Sequence, residues 1–214
     1  MRATTFLIAA AIAAFIYTFF LADPDFVLDA YGFSGVNFVK APYVLITSIF
    51  LHASLQHLLA NVLVWLFAGS AVESEVGALR MTLLFFLGAF AGHVFSLLFY
   101  GPGVVGVGAS AGIFALLGAG MLLRPLDLSF YPLVVPIPLA MLGLGYALYN
   151  VYGFIFNLEP NVSYVGHFGG LFVGLFYGFS KKGIAEGMRI IFITLAVMLL
   201  IPLLWILVKG YFRF

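Results

Sequence analysis

The sequence predicts an all-α polytopic membrane protein, and three observations carry that prediction. Hydrophobic residues make up 64% of the 214 and charged residues only 8%, where soluble domains carry about 25% charged. Mean hydropathy is +1.20. Seven segments are long or apolar enough to be read as spans, against the roughly 20 apolar residues a bilayer requires. They fall at about 5–22, 54–72, 78–100, 110–123, 132–156, 164–180 and 187–209. A water-soluble fold of this size could not bury so much apolar surface.

The first segment, TFLIAAAIAAFIYTFFLA, follows a single Arg2. Asp23-Pro24-Asp25 comes next, without a small-residue cleavage pattern, so it reads as a retained span. Residues 23–53 mix acids, prolines and aromatics with apolar pieces and read as a structured loop lying partly in the interface. The fourth segment is short, at about 14 residues. It suits a membrane only inside a ring of other helices, with one end in a water-filled cavity. That places Ser110 at the mouth of a buried helix.

Basic residues set the expected orientation. With a cytoplasmic N-terminus, Arg2, Arg80, Arg124, Lys181, Lys182 and Arg189 fall inside, and Lys40, Lys209 and Arg213 fall outside. The serine end of the fourth segment then faces the extracytoplasmic side. The chain holds no cysteine and has a formal net charge of +1. Disulfide and thiolate chemistry are excluded, and nothing suggests a nucleic-acid partner. No repeat or linker divides the chain.

Polar residues inside spans are costly and each is a functional candidate. His52, His57, Asn61, His93, Ser110, Asn150 and His167 qualify. His57 and Asn61 in HASLQHLLAN are four residues apart and share a helix face, with Ser54 placed to cap. Such a pair serves equally as interhelical hydrogen-bonding glue. No carboxylate shares the face, so a metal site is not expected and no cofactor is implied. In GHFGGLFVGLFYG, His167, Gly170, Gly174 and Gly178 form one continuous face of a histidine and three glycines. Such a face admits another backbone at close range. The fourth segment offers a matching small surface in Ser110, Gly112, Ala115, Gly118, Ala119 and Gly120. Packed at their outer ends, the two helices would bring His167 to Ser110. His93 and Asn150 belong to no motif and read as packing polars.

A serine at a helix start, a histidine on another helix and a His/Asn pair on a third are the parts of acyl transfer. The G-x-S-x-G string at Gly108–Gly112 is a different matter. In soluble hydrolases that motif needs a preceding strand and a later acid, and the sequence supplies neither.

These residues resemble the rhomboid intramembrane serine proteases. The matching pieces are His52-x4-His57-x3-Asn61, Ala71-Val72-Glu73 with Gly77, Gly108-Ala109-Ser110, and His167-x2-Gly170-x3-Gly174, over about residues 5 to 180. The resemblance implies a Ser110–His167 dyad, with His57, Asn61 and the Ser110 N–H as oxyanion donors. Gly108, Gly112, Gly170 and Gly174 would pack around the site and Phe114 would stack on the histidine. It implies a six-helix core, residues 1–180, with an extra C-terminal helix and tail, 181–214, in a six-plus-one arrangement. It implies a multi-pass protein of the cell membrane, with single-span membrane proteins as substrates and the lipid bilayer as partner. A relative that binds membrane helices without cutting them is the alternative; such relatives typically lack the serine or the histidine. Four positions depart from the usual family pattern: Tyr43-Val44 stands for Trp-Arg, Ala111 for the glycine after the serine, and Phe114 for a tyrosine. A base must be neutral to act, so activity is expected to fall below about pH 6.

Overall fold

A computed structural model describes residues 2–131 and 135–212. Helix α1, Ala3–Ile16, runs on as a π-helical turn, Tyr17–Leu21. The segment read as a loop is a chain of three short helices: α2, Pro24–Tyr31; α3, Gly35–Lys40; and α4, Val44–Phe50. Local capping explains the first two. Asp23 accepts hydrogen bonds from the N–H groups of Asp25 and Phe26, and Ser34 accepts from that of Asn37. Then follow α5, Leu55–Val76; α6, Ala78–Tyr100; and α7, Ser110–Leu123. A small antiparallel hairpin comes next, β1, Leu128–Tyr131, and β2, Val135–Pro138, with Leu128 opposite Pro138. Three long helices complete the chain: α8, Leu139–Phe156; α9, Tyr164–Lys182; and α10, Ile184–Phe212.

The protein is an all-α polytopic membrane protein. Five stretches among the described residues are long and apolar enough to cross a bilayer: Ala3–Leu21, Leu55–Val76, Ala78–Tyr100, Leu139–Phe156 and Ile184–Lys209. Helix α7 is shorter, with 14 residues. Helix α9 has 19, diluted by glycine and closed by Lys181-Lys182.

One boundary is corrected. The fifth span was expected from residue 132, but 135–138 are a strand and the helix begins at Leu139. Pro136 and Pro138 lack the N–H a helix interior needs, and the hairpin holds that end instead. Residues 132–134 of that expected span lie outside the described residues, as does Arg213.

Helix α7 is the axis of the bundle. Every residue from Gly112 to Leu123 is buried. Its main neighbours are α9, α6, α5 and α8, and α9 also lies along α6. Two glycines of α9 explain how close it comes. A β-carbon at Gly170 would strike the carbonyl oxygen of Ala111, and one at Gly174 that of Ala115. The small surface of α7 is divided among neighbours rather than turned to one. The carbonyls of Ala111 and Ala115, with Gly118, meet α9, while the β-carbons of the two alanines lie against Gly92 and Gly88 of α6. Gly112 also lies on α6, at Phe85, where a β-carbon would sit 2.6 Å from the ring, and Gly120 lies on Leu139 of α8. A helix enclosed on all sides needs small residues toward more than one neighbour.

The end of the bundle away from Ser110 is tied by polar contacts. Glu73, near the end of α5, accepts hydrogen bonds from the N–H groups of Ala3 and Thr4 and from the Thr4 hydroxyl, at 2.6–2.9 Å. It therefore caps α1 from another helix. Arg124 bridges Asp127 at 2.9 Å and Glu75 at 3.4 Å. Alternating helix directions bring the starts of α5, α7 and α9, and the end of α8, to the opposite end.

Candidate active site

The chain enters α7 through Gly108, whose φ of +122° is a conformation side chains disfavour. Space excludes a side chain there too: a β-carbon would lie 2.8–2.9 Å from the His57 imidazole. The Gly108 N–H donates to the Ser48 carbonyl of α4 at 2.8 Å, and Gly106 pairs with Phe33. Thus the short helices of residues 23–53 hold the approach to α7. His93 of α6 supports the same segment. It stacks on Phe33, with ring centroids 4.1 Å apart, and its Nε2 lies 3.3 Å from the Ser48 hydroxyl. His93 thus braces the loop, and it also lines the cavity that reaches Ser110.

Ser110 opens α7, and Ala109 before it supplies no side-chain cap. No side chain among the described residues caps the first N–H groups of the helix, which lie at the positive end of its dipole. Ser110 Oγ lies 2.8 Å from His167 Nε2. These residues are 57 apart in sequence, and the backbone contact between α7 and α9 brings them together. Phe114, one turn further along α7, stacks on the His167 ring at 4.4 Å between centroids and 11° between planes. It clamps the imidazole without a hydrogen bond.

On the other side of Gly108 stand His57 and Asn61 of α5. Ser54 caps that helix, its hydroxyl accepting from the His57 N–H at 3.1 Å. His52, 1% exposed, meets His57 edge to face at 4.9 Å, and its Nδ1 lies 3.1 Å from the Phe50 carbonyl. Asn61 is buried, and its Nδ2 has no hydrogen-bond partner among the described residues. A β-carbon on Gly108 would lie 3.9 Å from that nitrogen. A buried amide donor without an acceptor is costly in a finished fold. Here it points to the space beside the start of α7.

The structure also adds a residue to the cluster. Asn150 of α8 is 1% exposed, and its Oδ1 lies 2.8 Å from His167 Nδ1. The imidazole is thus held at both nitrogens and on one face. The sequence marked Asn150 only as a polar residue inside a span. Its partner is 17 residues away on another helix, beyond any helical spacing rule. No group of three or more histidines and acids placed to hold a metal occurs among the described residues.

A cavity of about 1270 Å³ joins these groups. It runs from loop residues 104–107 and 159–163 past Ser110 and His167 to Met141 and Met198. A hydroxyl resting on an imidazole, beside uncapped N–H groups and an unpartnered amide donor, is what acyl transfer requires of a site.

Known proteins show which family the chain falls in. The family model for the Rhomboid domain matches residues 39–184. Over 75 residues, 35% of this chain and 19% of the relative, the sequence is 45% identical to RHOMBOID-like protein 1 of Arabidopsis thaliana. It is 30% identical to RHOMBOID-like protein 7 of Arabidopsis thaliana over 138 residues, 63% of this chain and 41% of the relative. It is 31% identical to Rhomboid-related protein 2 of Mus musculus over 142 residues, 63% and 46%. The matched regions span less than half the length of these relatives. Ser110, His167, His57 and Asn61 all lie inside the stretch the family model matches, which is well over half of the sequence, and the chain belongs to the rhomboid family.

Proposed function

We propose that this protein is an intramembrane serine endopeptidase that cuts single-span membrane proteins within or beside their spans. The observation that carries the reading is the 2.8 Å contact between Ser110 Oγ and His167 Nε2. In the proposed reaction, Ser110 Oγ attacks the scissile carbonyl carbon while His167 Nε2 takes the hydroxyl proton. The oxyanion that forms is met by the Asn61 amide, His57 and the Ser110 N–H. His167 then gives its proton to the leaving amine as the C–N bond breaks. A water molecule, entering through the cavity, repeats the attack on the acyl-enzyme and frees Ser110.

The bundle also supports an orientation. Arg2, Arg80, Arg124, Lys181, Lys182 and Arg189 all stand at the end away from Ser110. With these in the cytoplasm the site opens to the extracytoplasmic side. Residues 1–180 then form the catalytic core and 181–214 the added helix and tail.

A panel of single-span reporters in vesicles tests the activity. Ser110→Ala and His167→Ala are each expected to abolish cleavage, with product ends mapped by mass spectrometry. A fluorophosphonate should label Ser110 in detergent, and less so in His167→Ala. Cleavage that survives Ser110→Ala defeats the mechanism. Absence of both labelling and cleavage in the wild type favours a helix-binding role instead.

A further inference from the structure

We infer that Asn150 is a positioning residue that sets the tautomer of His167 and so supports the Ser110–His167 pair; this rests on the reading of Ser110 and His167 as nucleophile and base. The inference follows from which atoms can donate. Asn150 Nδ2 donates to the main-chain carbonyl of Tyr164 at 3.0 Å, in a fully buried contact. A carbonyl oxygen only accepts, so the nitrogen of the amide must face Tyr164. The amide oxygen is then turned to His167 Nδ1, 2.8 Å away. That oxygen also only accepts, so Nδ1 must carry the hydrogen. A neutral imidazole has a single N–H. Nε2 is therefore left with its lone pair, and it faces Ser110 Oγ. The serine hydroxyl must donate, which is the direction of proton transfer that attack requires.

Asn150 does by orientation what a carboxylate does by charge. An amide has two faces, and one that offered N–H to the ring would impose the opposite tautomer. In serine proteases of another fold that error costs about 10⁴-fold in rate. Here the Tyr164 carbonyl removes the ambiguity. The neighbouring packing fixes the distance. Gly153, on the same face of α8 as Asn150, lets the Tyr164 ring close against that helix. When His167 becomes an imidazolium, Nδ1–H still points at the Asn150 oxygen, so the ring need not turn during the reaction.

The test compares Asn150→Leu, Asn150→Asp and wild type by reporter cleavage and by ¹⁵N NMR of histidine-labelled protein in detergent. The His167 signals are assigned by their loss in His167→Gln. Wild type should show a protonated Nδ1 and a bare Nε2 at neutral pH. Asn150→Leu should mix the tautomers and lower kcat about 10²-fold, the scale of a misplaced reacting group. KM should stay within about twofold, since the loss falls in the transition state. Asn150→Asp keeps the acceptor for Nδ1–H while losing the donor to Tyr164, and should recover most of the rate. A wild-type spectrum with Nε2 protonated overturns the inference. So does an equal fall in both variants, which would make Asn150 only a tie between α8 and α9. So does unchanged kcat in Asn150→Leu. The protease reading fails separately, by cleavage that survives Ser110→Ala, and the wild-type spectrum reports on Asn150 in either case.

Discussion

Helices α7 and α10 are both almost wholly apolar, yet they occupy opposite environments. From Gly112 to Leu123, α7 is buried on every side. Helix α10 is 29 residues long and leaves Phe192, Leu199 and Trp205 between 61% and 68% exposed. In water, apolarity separates inside from outside. In a bilayer it cannot, because lipid tails are as apolar as leucine. Side-chain size separates them instead. Helix α7 alternates glycine and alanine with larger residues, whereas α10 is richest in leucine and isoleucine. The buried helix is held by shape, and the peripheral one needs only to be long and apolar. Pro202 inside α10 fits the same contrast.

The sharpest way to break this contrast is to add bulk where α9 meets α7. At Gly174 the obstacle is the Ala115 carbonyl oxygen. Backbone within a helix cannot rotate aside as a side chain can. Gly174→Val is therefore expected to exceed the usual overpacking cost of about 1–3 kcal/mol and to abolish the folded protein, read by size exclusion in detergent. A folded, active Gly174→Val would mean that the two helices are not locked together by their backbones.

Much of this packing was legible in the sequence because it depends on spacing along a single helix. His167, Gly170 and Gly174 fall on one face by arithmetic alone, and the shortness of the fourth segment implied a helix surrounded by others. The features that escaped depend on distances between elements. Asn150 gains its meaning from Tyr164 and His167, which reach it only once α8 and α9 are paired. The hairpin 128–131 with 135–138 was hidden because Leu, Val, Ile and Pro read alike as the start of a span. The division of α7's small surface among α6, α8 and α9 was hidden for a related reason. A glycine shows that something comes near, without showing what.

A matched pair of leucines measures the contrast at its smaller end. Leu117 of α7 is 0% exposed and Leu204 of α10 is 57% exposed. In a soluble protein, Leu→Ala removes both transfer energy and packing. Here the separated helix would still face lipid, so the transfer part largely cancels and the cavity part remains. Leu117→Ala should thus cost about 2 kcal/mol, the low end of the soluble range, seen as a lower midpoint in a denaturing-detergent titration. At Leu204 a lipid chain fills the space that the side chain leaves. Leu204→Ala should change stability by less than about 0.5 kcal/mol and leave reporter cleavage unaltered. Equal losses at the two positions would mean that α10 is packed as tightly as α7, against some surface beyond this chain. A loss at Leu117 alone would make shape, rather than apolarity, the source of stability in this bundle.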